Sequence, residues 1–335
     1  MLPSASSNRK PRLFVFKAIA GEPDELPVKT LNFYLSGGAS IVPATLTKPR
    51  TQGMPDAYKG SQPTDKGHLL VEPHDLATVS RDPDSARYLR RFVQGKDMLQ
   101  GGSPRHCLRL VDAAPSDLNH SPLLRERLAL VRAARLESPT ASVQNYAERP
   151  SLFTQNRQPS GRYFALPEVS SENRGWIPGR FYDANVIAGN KLIIFPDAEP
   201  WHAALLQSSI FMAWVSVFVG RLKSDISISP ALAYFPVPWP EIADAGKAAL
   251  AAGWADVEEA RGAHPDATLA DLYGSNSMPQ RLLATHHALD GLVDRTFAQR
   301  RRFTDNAERL SHLISAYAAG TAQNQLTVPS RSRRA

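Results

Sequence analysis

The chain has 335 residues, 42% of them hydrophobic and 21% charged, a balance ordinary for a soluble globular protein with room for two compact domains. Lys and Arg number 39 against 32 Asp and Glu, and the resulting +7 favours a polyanionic partner without choosing between nucleic acid and anionic lipid. A single cysteine, Cys107, excludes an internal disulfide and any cysteine-cluster zinc site.

Residues 1–12, rich in Ser, Pro and cations, lack the apolar core of a secretory signal, so the cytoplasm is the expected location. Residues 13–19 (LFVFKAI) are apolar and β-prone and predict a strand ending at Gly21-Glu22-Pro23. Residues 48–70 carry too many glycines and prolines for regular structure and predict a loop. That loop presents Lys48, Arg50, Lys59 and Lys66 beside free backbone amides, which suits either a phosphate cradle or a solvated connector. Residues 84–98 predict a helix and then a turn, with Tyr88, Leu89, Phe92 and Val93 mostly in the core. Residues 105–111 predict a strand that buries an inert Cys107 thiol. Ser121 and Pro122 are an N-cap and a first-turn proline, opening a helix to about residue 136. Leu124, Leu128 and Val131 share one face of it, Arg125 and Arg132 another.

Residues 163–169 read as a strand that leads into five consecutive hydrogen-bonding side chains, Ser170 to Arg174. Arg reads guanine bidentately, Asn reads adenine, and Glu accepts from cytosine N4, so Glu172, Asn173 and Arg174 together can discriminate bases in a major groove. The plainer alternative is a polar turn braced by a Glu172–Arg174 pair. Residues 201–219 then predict one buried helix, with no run near the ~20 apolar residues that span a bilayer. Gly220 is the expected left-handed cap of that helix. Arg221, Lys223 and Ser224 follow, short polar and cationic side chains suited to phosphate oxygens. Three prolines at 236, 238 and 240 close the domain. Beyond them the pattern is helical: 242–261, a short helix at 269–273, one from Ser277-Met278-Pro279, and one from the Asp305/Glu308 capping box. His286 and His287 lie in a helix without partners at ligand spacing, so structural roles are expected and no metal.

The ordered set Met212 to Val215, Gly220 to Asp225 and Phe235 to Pro240 resembles the end of the recognition domain in MmeI-type DNA methyltransferases, the single-chain restriction–modification enzymes that modify adenine. Leu31 to Leu35, Met54 to Leu70 and Pro167 to Pro178 are similar to further motifs of that family, with Phe33 and Trp176 departing from its proline and tyrosine. The resemblance covers roughly residues 30–320 and implies only the family's C-terminal half. The motifs of the other half are missing from the sequence: it has no Pro-Pro pair, so no (Asn/Asp/Ser)-Pro-Pro-aromatic tetrapeptide, and no Glu-x-Lys triplet.

The expectation is an α+β chain: residues 1–42 a remnant or seam of a methyltransferase domain, 43–240 a mixed-sheet DNA target-recognition domain, 241–320 a small helical region and 321–335 a disordered tail. It implies binding of duplex DNA for an N6-adenine methyltransferase, with no catalytic residue, cofactor site or metal in this chain and no membrane partner. S-adenosylmethionine is expected on the absent methyltransferase domain. Two alternatives stay open, a specificity subunit serving a separately encoded methyltransferase and a degenerate fragment. Glu172, Asn173 and Arg174 are the candidate base readers. Lys48, Arg50, Lys59, Lys66, Arg221, Lys223 and Ser224 are the candidate phosphate contacts.

Overall fold

The run Tyr-Phe-Ala-Leu-Pro at 163–167 carries no charge, and all five of its residues are buried. In the computed structural model, which describes residues 12–16, 21–27, 40–298 and 302–327, this strand lies inside a four-stranded antiparallel sheet. Its order is β3 (Tyr58–Lys59), β11 (Leu192–Pro196), β7 (Tyr163–Pro167), β9 (Arg180–Tyr182). A second sheet is mixed: β10 (Val186–Ala188) runs parallel to β5 (Leu89–Val93), β5 antiparallel to β6 (Arg105–Leu108), and β6 antiparallel to β4 (Leu70–Val71). The third is antiparallel, β12 (Gly220–Leu222), β13 (Asp225–Ser227), β8 (Val169–Ser170). Near the N-terminus β1 (Arg12–Phe16) and β2 (Pro23–Pro27) pair as a hairpin.

Helices α1 (Leu76–Arg81), α2 (Pro83–Ala86), α3 (Gly95–Gln100), α4 (Pro115–His120), α5 (Pro122–Leu136) and α6 (Ala141–Gln144) precede β7. After β11 come α7 (Pro200–Leu206), α8 (Ser209–Phe218), α9 (Asp244–Gly262), α10 (Leu269–Leu272), α11 (Gln280–Phe297) and α12 (Asn306–Thr327). The α+β class and the C-terminal run of helices are as expected.

Two apolar cores result. The larger joins β7 and β11 to α7 and α8 and continues without a break through Tyr234, Val237 and Trp239 into α9, α11 and α12. Trp214 of α8 is fully buried, its ring against Phe218 and Tyr317, so its truncation to Ala costs about 3–5 kcal/mol. The smaller core packs α5 on the mixed sheet around Phe92, Leu108 and Cys107, and burial pushes the thiol up to about 12. Its fully buried Arg135 donates to the carbonyls of Pro63, Thr64, Tyr146, Arg149 and Leu152, five acceptors that compensate its burial.

Several expectations need correction. Residues 84–98 are not helix then turn: α2 is one short turn, and β5 follows because its backbone finds β6 on one side and β10 on the other. Pairing outweighs local spacing there. Residues 201–219 form two helices bent by 50°, because Ser208 leaves the helix and caps α8 with its hydroxyl on Phe211 N–H. No single described helix is long and apolar enough to cross a membrane. Gly220 is no helix cap, since α8 ends at Phe218, Val219 is extended, and Gly220 opens β12. The strand at 163–169 is cut at Glu168, whose N–H goes to Lys191 and whose carbonyl takes Ile228, so β7 and β8 join different sheets. Within the 48–70 loop, Tyr58–Lys59 pairs with β11, and Leu70 opens β4, which pairs with β6. A side chain at Gly60 would strike the carbonyls of Ala188 and Gly189, which explains the Lys-Gly-Ser sequence there. Asp305 accepts from Glu308 N–H as expected, and the Glu308 carboxylate accepts from Thr304 N–H. The helix it opens runs on to Thr327, into the expected tail. Leu31 to Gly38 lies outside the described residues.

Candidate nucleic-acid interface

Backbone pairing brings the two most informative polar stretches together. β8 pairs with β13 (Ser170 opposite Ile226, Val169 opposite Ser227), and β13 turns back into β12. The Ser171 to Arg174 loop, leaving β8, therefore stands beside the Arg221 to Ser224 hairpin. The loop closes on itself through Arg174 N–H to the Ser171 carbonyl and Asn173 N–H to the Ser171 hydroxyl. Glu172 and Asn173 are exposed at its tip. In the hairpin, Leu222 opposes Asp225, so Lys223 and Ser224 are a two-residue turn with Lys223 at φ +57. Glycine is the usual residue at such a position, and a lysine there is strained.

Charges at this junction are arranged in pairs. Arg221 donates to the carbonyls of Ser224 (2.9 Å) and Ser216 (3.0 Å) and lies 3.5 Å from the Glu172 carboxylate. The expected brace within the loop, Glu172 to Arg174, is thus replaced by Glu172 to Arg221. Arg174 is half-buried: its Nη1 is 3.4 Å from the Ser170 hydroxyl, and burial lowers its pKa against the opposing pull of Asp225. Lys59 joins the same neighbourhood through Glu168, at the base of β8. Burial alone would raise the Glu168 carboxyl, but Lys59 (2.5 Å) and Lys191 (2.9 Å) hold it below its usual value.

Three other candidate cations are engaged elsewhere. Lys48 pairs with Asp56 at 3.0 Å and Lys66 with Glu137 at 2.6 Å. Arg50 lies over the Tyr317 ring and donates to Thr321, bracing the loop against α12. Exposed ion pairs of this kind are weak and exchangeable, so Lys48 and Lys66 stay accessible at the surface, whereas Arg50 packs on α12.

The loop's far end is anchored in the C-terminal helices. Trp176 stacks on His286 with ring centroids 4.6 Å apart and donates to Asp290. Asp290 also accepts from the backbone N–H and hydroxyl of Ser209, both at 2.6 Å, at the start of α8. Behind it Arg261 bonds Tyr273, Gln207 and the Gly179 carbonyl, and the Tyr273 hydroxyl contacts His286 Nε2. The two clefts flanking Gly175–Trp176, about 580 and 310 Å³, are walled by these helices. Sequence reasoning missed Asp290 and Lys191. An aspartate on the buried stripe of α11, between Leu289 and Val293, was the available signal. Among the described residues no group of three or more His, Cys, Asp or Glu is placed to hold a metal.

Comparison with known proteins gives this arrangement a class. Residues 38–241 match the family described as MmeI, target recognition domain, and residues 242–325 match MmeI, C-terminal domain. The chain belongs to the MmeI family, as its motifs led one to expect. It is 30% identical to DNA methyltransferase A of Bacillus subtilis (strain 168) over 291 residues, 87% of this chain and 33% of that protein. It superposes on the type IIL restriction-modification enzyme MmeI in complex with DNA at a TM-score of 0.84 and 31% identity, over 93% of this chain and 41% of that one. The chain thus spans well under half the length of either relative.

Proposed function

We propose that this chain recognises a specific sequence in duplex DNA on behalf of an N6-adenine DNA methyltransferase of a restriction–modification or related defence system. The juxtaposition of the Ser171 to Arg174 loop with the Arg221 to Ser224 hairpin, within a target recognition domain, carries the reading. Base-edge donors and acceptors stand in one place with cations beside them, as recognition and positioning require. Glu172 and Asn173 read, Arg174 supports or reads from its half-buried position, and Lys223, Lys59 and Lys191 meet phosphates. Methyl transfer, with its S-adenosylmethionine and adenine pocket, belongs to residues outside this chain, which has no Pro-Pro tetrapeptide.

The test is a selection of bound duplexes from a random pool with the full chain. A single enriched motif is the expected result; unenriched binding, or none, defeats the proposal.

A further inference from the structure

The outer strands of two sheets meet at a seam that carries unbalanced positive charge. β9 ends the antiparallel sheet and β10 ends the mixed one, with only residues 183–185 between them. Side chains stitch the seam from inside. Tyr163 donates its hydroxyl proton to the Val186 carbonyl at 2.6 Å, and the Gln158 amide bonds the Ala184 and Val186 carbonyls and the Ala188 N–H. Arg91 of β5 is the strand partner of Val186, and Tyr182 is that of Tyr163, their rings 5.8 Å apart. Arg180 lies two residues before Tyr182, on the same face of β9. Register therefore brings Arg91 and Arg180 to one tyrosine side chain.

Neither guanidinium has an acid. Both arginines are exposed, and among the described residues no carboxylate lies within ion-pair distance of either. Asp97, which also acts on Tyr182, is engaged by Arg105 and by the Gln94 N–H, both at 2.7 Å. Asp183 is exposed beside Tyr182 and pairs with neither. Opposite Arg91 on β6 stands His106, whose pKa is lowered by burial and by Arg91, so no countercharge comes from that side. Other arginines of the domain are matched, Arg87 with Asp117, Arg127 with Asp75 and Arg132 with Glu148. The Tyr182 hydroxyl is unmatched too. The residue is 7% exposed, and its oxygen has no hydrogen-bond partner among the described residues. Burial pushes this phenol up to about 12 against the pull of Arg180 and Arg91, so it stays a protonated donor.

We infer that Arg91, Arg180 and Tyr182 bind one phosphate of the duplex backbone, at a place separate from the loop and hairpin. The inference rests on the proposed DNA recognition. Two guanidinium forks and one O–H donor match the non-bridging oxygens of a phosphodiester, and guanidinium is weakly hydrated and readily desolvated. An anion between the two cations also removes their mutual repulsion. β9 begins at Arg180, six residues after Arg174. A phosphate held there fixes the duplex at a second point and so sets the register of the reading loop over the bases.

The experiment uses the full chain and duplexes carrying the motif that it selects, each with one uncharged methylphosphonate replacing a phosphate, at successive positions. The double variant Arg91→Gln/Arg180→Gln should bind every sequence roughly tenfold more weakly and lower the slope of log K against log salt by about 0.9. It should select the wild-type motif and be indifferent to the methylphosphonate at one position where the wild-type chain is sensitive. Its thermal midpoint should not move, because both side chains are exposed. Tyr182→Phe, which keeps the ring in its packing, should weaken binding without changing the slope, and Arg91→Lys/Arg180→Lys should restore the slope. A double variant with the wild-type slope and the wild-type sensitivity at every position overturns the site and leaves recognition standing. So does a lower slope with no position made indifferent, which marks diffuse attraction, and so does a changed motif, which marks contact with base edges. Failure of the wild-type chain to bind any duplex overturns both.

Discussion

The indole Nε1 of Trp176 lies 3.2 Å from one carboxylate oxygen of Asp290 and 3.4 Å from the other, and this contact fixes the end of the proposed reading loop to helix α11. The same carboxylate receives the first N–H of α8, so one buried acid organises a loop and a helix start. Asp290→Ala should cost about 1–3 kcal/mol for each buried donor left without an acceptor. Asp290→Asn, which keeps one carbonyl oxygen, should cost less. Urea unfolding measures both, and equal losses for the two variants would count against the carboxylate as organiser.

Stability should fall in mild acid. Burial lowers the pKa of His202 and His286, with Arg261 further opposing a charge on His286. Unfolded, each imidazole takes up a proton near pH 6.5, so below that pH the unfolded chain binds more protons than the folded one. Their contribution is complete above about pH 6.5 and is lost as pH drops through that value. The thermal midpoint should decline between about pH 7 and pH 5.5, and His202→Gln should flatten the decline. Asp290, whose carboxyl burial raises, acts in the opposite sense, so Asp290→Asn should steepen the decline.

DNA affinity should depend steeply on salt, each neutralised phosphate adding a slope of about −0.9 in log K against log salt. Lys223→Ala should lower the slope by about one such step and weaken all sequences alike. Lys48→Ala and Lys66→Ala test whether the distant half of the 48–70 loop touches the duplex. Arg50→Ala should instead reduce stability, through its lost contact with Tyr317. Titrations at two salt concentrations separate these outcomes.

Asn173→Ala and Glu172→Ala should relax preference at one base position each by about 1–3 kcal/mol, with the fold unchanged because both tips are exposed. Arg174→Ala should show both a relaxed position and a loss of stability, in keeping with its half-buried guanidinium. Selection from a random pool on each variant reads the first effect and chemical unfolding the second. Unchanged motifs for all three would move base reading elsewhere in the domain.

The sequence disclosed what local chemistry dictates. The Ser121 cap, the helices after Pro240, the burial of Cys107 and the polar character of 170–174 and 221–224 are all legible in the residues themselves. What it hid depended on pairing at a distance. Nothing local to Leu89–Val93 announces that two other strands flank it, and nothing in Ser208 shows that a carboxylate in α11 will hold the next residue. Arg50 looked like Lys48 in composition, and only the approach of α12 makes one a packed side chain and the other a surface charge. The adjacency of the loop and hairpin likewise follows from β8 meeting β13, a contact that no periodicity reveals.

The unbroken core across Trp239 bears on how new specificities can be assembled. Matched regions of the chain change over at residues 241 and 242, yet Trp239 stacks on Phe211 and meets Phe297 of α11, and Trp176 rests on His286. A chimera joined at that seam would set a reading loop from one parent on a floor from another, with mismatched rings beneath it. Exchange of the loop and hairpin together with the helices that seat them keeps each pair of surfaces native, so the unit to exchange under the proposed function is larger than the loop and hairpin alone.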